Sequence, residues 1–513
     1  MKTKLALLSV SDKTGLVDFA KGLVEAGYTI ISTGGTKKAL DDAGVPVKSV
    51  SEITGFPEIL DGRVKTLHPK IHGGILARRD EESHLQQMEE HGIGSIDLVA
   101  VNLYPFAQTV AKPDVTLAQA IENIDIGGPT MVRSAAKNFR DVAVVVNPAR
   151  YSSVIEEMKK DGALSEATKF ALAVEAFSHT AEYDAMISSW LYKKIDGAPL
   201  FAETMVLPYQ KVQDLRYGEN PQQKAAFYRE PNAAPGSVAG AKQLHGKELS
   251  FNNINDLNAA WELVQEFSEP AAVAVKHANP CGVAVAANIF TAYERAFDAD
   301  PVSIFGGIVA VNRTLDGKTA EKMSEIFLEV IIAPEYDEEA LAILMNKKDI
   351  RLLQAPLPDE KVLFDAKKVS GGLLVQELDT EAVHSSGWGA VTNTKPELKQ
   401  IADMIFGMKV VKHVKSNAIV LVKDGQTIGV GAGQMNRVGA ARIAIEQAGD
   451  KAKGSVLASD AFFPFPDTVD EAAKAGVKAI VQPGGSMKDQ ESTEACNKYG
   501  IAMMMTGRRY FKH

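Results

Sequence analysis

Leu5-Ala6-Leu7-Leu8-Ser9-Val10, followed at once by Ser11-Asp12-Lys13-Thr14-Gly15 and then by the helix-period segment Leu16–Ala26, sets the reading of the N-terminal half. The first six residues make a short apolar run of the kind a buried strand shows. The next five are small and polar, and the third segment carries its apolar residues at helical spacing. Strand, polar loop and helix in that order is the unit of a parallel sheet, and the order returns along 1–195. Tyr28–Ile31, Leu98–Val101 and Val142–Val146 read as further strands, Thr36–Ala43, Thr116–Asn123 and Tyr151–Lys160 as helices, and Ala163–Trp190 as a long closing helix. The expected fold is α/β: a doubly wound, mostly parallel sheet with helices on both faces and its ligand crevice at the carboxyl ends of the strands. Met1-Lys2-Thr3-Lys4 ahead of the first run imitates a signal peptide. Ser9, Ser11, Asp12 and Lys13 end the apolar stretch too soon for one, so a first buried strand is expected instead.

Gly197-Ala198-Pro199 and Pro208 then punctuate the chain, and the alternation restarts with Ala271–Lys276, Ile304–Val311, Val330–Ile332, Ala418–Val422, Val456–Ser459 and Ala479–Gln482 as strand candidates. This places a boundary near residue 199, giving domains 1–199 and 200–513, the second large enough for two subdomains. Neither an internal repeat nor low-complexity sequence is evident. The chain has 513 residues, more than one core can use, because single cores stop growing near roughly 250–300 residues. Its net charge of −9 argues against a broad grip on nucleic acid, so anionic ligands must be held by local basic pockets. Cys281 and Cys496 are the only cysteines, too few for a disulfide framework or a four-thiolate zinc site and consistent with the reducing cytoplasm. No apolar stretch approaches the roughly 20 residues that cross a bilayer.

Three loops of the first half share one chemistry: Ser11–Gly15, Thr33-Gly34-Gly35-Thr36 and Asp125-Ile126-Gly127-Gly128, each read as following a strand. Glycines ahead of a helix let backbone N–H groups approach a phosphate, which the helix N-terminus also favours. Singly these are ordinary turns and caps. Together with Arg63-Val64-Lys65-Thr66-Leu67-His68-Pro69-Lys70 they point to a nucleotide monophosphate, and the absence of a P-loop pattern disfavours an NTPase. Ser9–Gly15, Gly62–Pro69, Asn102-Leu103-Tyr104-Pro105-Phe106, Ile124–Gly128 and Arg133-Ser134-Ala135-Ala136-Lys137-Asn138 resemble the motif series of IMP cyclohydrolases in order and spacing. That resemblance implies a methylglyoxal-synthase-like fold. It also implies a substrate-binding set of Ser11, Asp12, Lys13, Thr14, Thr33, Gly34, Gly35, Thr36, Arg63, Thr66, Asn102, Ile126 and Gly127. Ring closure of formyl-AICAR sends a weakly nucleophilic carboxamide nitrogen at a formyl carbon and builds an oxyanion that leaves as water. Lys65 and the Gly127 N–H suit the oxyanion, Asp125, Tyr104 and Lys137 can move protons, and the resemblance favours Lys137.

In the second half, Lys276-His277-Ala278-Asn279-Pro280-Cys281-Gly282 follows an apolar strand, and its Asn-Pro pair reads as a break after it. His277, Pro280 and Cys281 echo fragments of zinc deaminase motifs, but position 279 is Asn rather than Glu and no second cysteine lies near Cys281, so no metal site is expected. Leu215–Gln222, Phe305-Gly306-Gly307, Lys415-Ser416-Asn417, Gly431-Ala432-Gly433-Gln434, Ser459–Phe465, Pro483-Gly484-Gly485-Ser486 and Arg508-Arg509-Tyr510-Phe511 are individually weak signals. As a set they resemble AICAR transformylases over nearly all of 200–513, a fold of cytidine-deaminase-like α/β subdomains. The resemblance gives Arg216, Tyr217, Asn253, Phe305, Gly306 and Arg509 to AICAR, and Asn417, Gln434, Phe462 and Asp467 to the folate side, with Gly484 and Gly485 nearby; it assigns Glu329 no firm role. Formyl transfer needs a base for the AICAR amine and positive charge at the formyl oxygen, and His277 and Lys276 are groups of those types. The implied co-substrate is 10-formyltetrahydrofolate, with no tightly bound cofactor and a potassium ion left open. The implied assembly is a homodimer in which both chains build the transformylase site. A nucleotide-binding regulatory protein with a degenerate second half is the competing reading.

Overall fold

A computed structural model describes residues 4–358 and 364–513, so Met1–Thr3 of the signal-like start lie outside the described residues. The chain divides into two compact units, Met1–Tyr209 and Gln210–His513.

The first unit is built on strands β1 (Lys4–Val10), β2 (Tyr28–Ser32), β3 (Val47–Ser49), β4 (Ile96–Asn102) and β5 (Ala143–Val145), in the order β3-β2-β1-β4-β5. Every neighbouring pair is parallel. The period-2 alternation of a strand divides the core in two. Leu7, Ile31, Val99, Val101 and Val144 face one layer, with Met131, Val132, Ala135, Ala173 and Ala176. Ala6, Leu8, Ile30, Leu98 and Val145 face the other, against Leu16, Phe19, Leu23, Leu40 and Tyr151. Strand order reverses at β1, so the loops after β1 and β4 open the crevice expected of such sheets. The four strands read from sequence are present, and the closing helix runs Glu166–Tyr192, capped by the Ser165 hydroxyl. Two corrections arise. β3, at three residues, is too short to show a pattern in the sequence, and the Asp125–Gly128 loop follows the short helix Leu117–Glu122 rather than a strand.

The second unit holds β6 (Gln210–Leu215) and β7 (Ala225–Arg229) as one hairpin, and β14 (Phe364–Val369) and β15 (Gly372–Glu377) as another. Its core lies in two six-stranded sheets. The first uses β8 (Lys242–His245), β9 (Ala271–Lys276), β10 (Asn279–Val285), β11 (Ile308–Val311), β12 (Val330–Ala333) and β13 (Arg351–Gln354), ordered β10-β9-β11-β12-β13-β8. The second uses β16 (Gly389–Ala390), β17 (Ile419–Val422), β18 (Thr427–Gly431), β19 (Val456–Ser459), β20 (Ala479–Gln482) and β21 (Ala502–Met505), ordered β18-β17-β19-β20-β21-β16. The pairings correspond one by one. In each sheet an edge hairpin (β9–β10 or β17–β18) leads to an antiparallel neighbour and then two parallel ones, and a short antiparallel strand closes the far edge. An internal repeat is therefore present where the sequence showed none. The hairpin edges of the two repeats meet: Val283 N donates to the Thr427 hydroxyl at 2.9 Å, and Val285 N to the Gly425 carbonyl at 3.0 Å. Two further readings change. Ile304–Gly307 forms a turn ahead of β11 rather than part of it, and Asn279-Pro280 opens β10 rather than breaking the chain.

Candidate active sites

In the first unit, Asn102 at the end of β4 reaches across to the loop after β1. Its Oδ1 accepts the Ser11 and Asp12 N–H groups at 2.6 and 2.8 Å, while its Nδ2 donates to the Asp12 carbonyl at 2.9 Å. Its amide is thus spent on holding the loop. Inside the loop the Asp12 carboxylate accepts the Thr14 N–H and hydroxyl, and those bonds hold it below the usual carboxylate range. Thr36, buried, bridges both backbone groups of Val10 and ties the second loop to β1. Gly34 and Gly35 open the helix Gly34–Asp42. A β-carbon built on Gly34 would lie 3.6 Å from the Lys65 ammonium, and one on Gly35 3.9 Å from that of Lys13. Two cations and a bare helix N-terminus thus converge on one point, which is the chemistry of a phosphate cradle.

The second helix N-terminus of the site is that of Gly127–Lys137. A β-carbon at Gly127 would meet the buried Thr66 hydroxyl at 2.9 Å, so only glycine fits there. Asp125 caps the same turn, accepting the Gly128 N–H at 2.8 Å, while its own N–H donates to the Tyr183 hydroxyl. Burial raises the Asp125 carboxyl above the usual range, against the opposing backbone donors of Gly128 and Tyr104. Lys65 is 3.5 Å from Glu58, a carboxylate no sequence motif marked. Tyr104 and Ile126 are exposed. Arg63 pairs with Glu122 at the surface rather than pointing a free guanidinium at the cradle. Lys137 is not part of this cluster: it ends the helix that Gly127 begins, and ten residues at about 1.5 Å rise put them about 15 Å apart. Lys137 instead lines a groove of about 710 Å³ with Pro129, Thr130, Arg133 and Ser134 of its own helix on one side and Phe170, Val174 and Phe177 on the other.

In the second unit the Lys276-His277-Ala278-Asn279 segment is the tight turn of the β9–β10 hairpin, with Lys276 opposite Asn279. His277 and Ala278 have φ of 53° and 58°, the left-handed pair a two-residue hairpin loop requires and which Asn-Gly or Asp-Gly normally supplies. Asp256, on the helix Phe251–Val264, accepts both of their N–H groups at 3.1 and 2.8 Å. The His277 ring is exposed and, among the described residues, has no hydrogen-bond partner. Lys276 Nζ donates to the Phe305 carbonyl at 2.7 Å and sits beside Gly306, joining the turn to that loop. On the other flank, Asn252 Nδ2 donates to the Glu219 carbonyl at 3.2 Å, which brings the Arg216–Tyr217 segment against the start of the same helix. Asn253 there caps the helix with Ser250, so its Oδ1 is already engaged.

Asn279 Oδ1 accepts the Lys415 N–H at 3.1 Å and so links the turn to the second repeat. There Asn417 Nδ2 donates to the Gln434 carbonyl at 2.8 Å and its Oδ1 accepts Arg437 Nη2 at 2.6 Å. Arg437 is paired in turn with Asp460, fully buried, which also accepts the Ser416 hydroxyl. Arg437 lies outside every sequence motif, and Asp460 is marked only as part of the Ser459–Phe465 stretch. The tail folds over this cluster through Ser416 N to the Lys512 carbonyl and Tyr510 N to the Asp460 carbonyl. Exposed Arg509 then lies 4.5 Å over the Phe511 ring, beside a cavity of about 270 Å³ lined by Ser416, Asn417, Gly433, Gln434, Met435, Phe511 and His513. Phe462 stands in the loop after β19, Asp467 opens the helix Asp467–Lys474 that follows, and Gly484 and Gly485 stand in the loop after β20; the described hydrogen bonds do not tie them to Asn417. Gly485 N and Ser486 N instead donate to Asp489. Glu329 forms a 2.6 Å ion pair with Arg351. Among the described residues no group of three or more His, Cys, Asp or Glu is placed to hold a metal.

These features define a two-unit α/β enzyme, with an anion cradle at paired helix termini in one unit and an unpaired histidine beside a lysine in the other. Comparison with known proteins agrees. A model of the AICARFT/IMPCHase bienzyme matches residues 135–447, and one of the MGS-like domain matches 15–130. The bifunctional purine biosynthesis protein PurH of Bacillus cereus (strain B4264) is 60% identical over 99% of this chain and 100% of its own length, and that of Bacillus mycoides (strain KBAB4) matches to the same extent. A solved structure titled "Crystal structure of ForH" is 38% identical, covering 37% of this chain and all of that one, with a TM-score of 0.34. The chain belongs to the AICARFT/IMPCHase bienzyme family. It is a bifunctional purine-biosynthesis enzyme with formyltransferase and IMP cyclohydrolase activities, its first unit MGS-like.

Proposed function

We propose that the second unit transfers the formyl group of 10-formyltetrahydrofolate to the amine of AICAR and that the first closes the product to IMP, with domain limits near 1–199 and 200–513. The observation that carries this division is the His277 turn, which presents an unpaired imidazole and an ammonium side by side in the second unit. His277 takes the proton of the attacking amine, and the Lys276 ammonium steadies negative charge on the formyl oxygen. The carbon–nitrogen bond to the folate then breaks, and the folate nitrogen leaves with a proton. Arg216 and Arg509 suit the ribotide phosphate, and Tyr217, Asn253, Phe305 and Gly306 the rest of AICAR. Asn417, Gln434, Phe462, Asp467, Gly484 and Gly485 form the folate side.

In the first unit the ribotide phosphate sits on Gly34–Thr36 with Lys13 beside it, assisted by Ser11, Asp12, Thr14 and Thr33. The carboxamide nitrogen attacks the formyl carbon, and Lys65 and the Gly127 N–H stabilise the oxyanion. Asp125 and Tyr104 move the protons that let it leave as water. Lys137 joins that chemistry only for a substrate lying along the groove beside its helix. The reading extends to a cytoplasmic homodimer whose transformylase site draws on both chains. Light scattering checks the mass, and ultraviolet absorbance during turnover of AICAR plus formyl folate tests both steps: formation of tetrahydrofolate with no IMP, or no turnover at all, refutes it.

A further inference from the structure

We infer that Asp256 is a positioning residue for formyl transfer, holding the His277–Ala278 pair in the left-handed conformation from which the imidazole is presented. The inference rests on the reading that His277 is the base.

Two-residue hairpin loops of this kind need positive φ at both central positions. A side chain with a β-carbon is disfavoured there, and Ala278 has no polar group of its own to compensate. Strain of this sort persists only where its surroundings enforce it. The enforcing group is the Asp256 carboxylate, which takes one N–H of the pair on each oxygen.

The second repeat supplies an internal comparison. Its β17–β18 turn is made by Asp424 and Gly425, at φ of 57° and 67°. Asp403, buried on the helix Leu398–Val411, accepts their two N–H groups at 3.0 and 2.7 Å. The spacing is identical, 21 residues from carboxylate to first turn residue in both repeats. One clamp is thus built twice. In the second repeat it closes over Asp-Gly, a pair that takes this conformation readily; in the first it closes over His-Ala, a pair that does not. The clamp has more to do where the histidine is, and what it fixes is the direction of the histidine Cα–Cβ bond. Releasing it lets the turn relax toward negative φ and swings the ring away from the amine it must deprotonate.

The test uses the full-length chain with Asp256→Asn, which removes the charge and one acceptor, beside Asp403→Asn as the matched control. Misplacement by an ångström can cost about 10²-fold in rate, so Asp256→Asn should lower the formyl-transfer kcat by roughly 10- to 100-fold while both KM values stay within about threefold. Asp403→Asn should lower the thermal midpoint to a similar extent but leave that kcat within about twofold. Adding Ala278→Gly to Asp256→Asn should return a large part of the lost kcat, because glycine adopts the turn unaided. Should Asp256→Asn fail to fold, Asp256→Glu is read in its place with the same expectations. Equal kcat losses in Asp256→Asn and Asp403→Asn, or a failure of glycine to rescue, overturn the inference. His277→Ala separates it from the reading beneath: an active His277→Ala removes the catalytic assignment, whereas an inactive His277→Ala beside a fully active Asp256→Asn removes only the clamp.

Discussion

Replacing His277 by alanine should nearly abolish formyl transfer at almost no cost in stability, and the two magnitudes can be set against each other. The ring is exposed and has no hydrogen-bond partner among the described residues, so its loss removes little packing and no described hydrogen bond. The backbone at 277 keeps its positive φ in either protein, and since alanine also carries a β-carbon the strain changes by no more than about 1 kcal/mol. In a unit running Gln210–His513, with about 2.1 cal/mol/K of unfolding entropy per residue, that is a shift in Tm of about 2 °C. Loss of a positioned general base costs roughly 10²–10⁴-fold, or about 3–5 kcal/mol of barrier. The assay follows tetrahydrofolate formation from AICAR and formyl folate, with cyclisation of supplied formyl-AICAR, a reaction of the other unit, as the control for intact protein. Lys276→Ala should show the same selective loss. A His277→Ala protein that forms tetrahydrofolate within about threefold of the parent rate refutes the reasoning, because no general base is that dispensable.

Residues 1–209 expressed alone should fold and cyclise formyl-AICAR, since both core layers and the cradle lie within them; a folded but inactive fragment would move the cyclisation site elsewhere. Arg509→Ala should raise KM for AICAR by roughly 10- to 150-fold, the worth of a charge-assisted hydrogen bond, with the folate KM little changed; an unaltered AICAR constant removes Arg509 from the phosphate site. Burial raises the Asp125 carboxyl, so the folded protein binds that proton more tightly than the unfolded chain does. Its contribution to stability is therefore present at low pH and is withdrawn as pH rises through the raised value. The acid limb of cyclisation should accordingly lie above the ordinary aspartate range near about 3.9, and Asp125→Asn should remove that limb; a pH–rate profile unchanged by the substitution detaches Asp125 from proton transfer.

The parallel sheet of the first unit was legible because strands buried on both faces appear as unbroken apolar runs, and Ala6, Leu7 and Leu8 are all without exposure. The glycine loops announced themselves for a related reason: close approach to a helix N-terminus leaves no room for a side chain at Gly127. The β9–β10 hairpin did not announce itself, because His277-Ala278 is not a pair that predicts a turn, and Pro280 is tolerated only because β10 is an edge strand. The repeat was hidden for the same reason. Its most diagnostic position is Asp-Gly in one copy and His-Ala in the other, and topology outlasts such differences. Asp256 was out of reach in principle, since it acts on residues more than twenty positions away, and Asp460 was marked only as part of the Ser459–Phe465 stretch, with nothing to show its partners. Lys137 shows the converse limit: its motif says nothing of distance, and the helix Gly127–Lys137 sets it at the far end from Gly127.

Where the two hairpins of the second unit meet, each covers what the other would leave bare. β10 and β18 are outermost strands, and an outermost strand offers its unpaired amides and carbonyls to any chain that will pair with them. Here Thr427 and Gly425 answer Val283 and Val285, and an antiparallel bridge joins Ala284 to Gln426. Neither repeat can consequently be cut out as a well-behaved small protein, for excision would strip one rim and leave it adhesive. A polypeptide carrying a single copy could seal that rim only against a twin, so linking the two copies in one chain turns a concentration-dependent association into a permanent one.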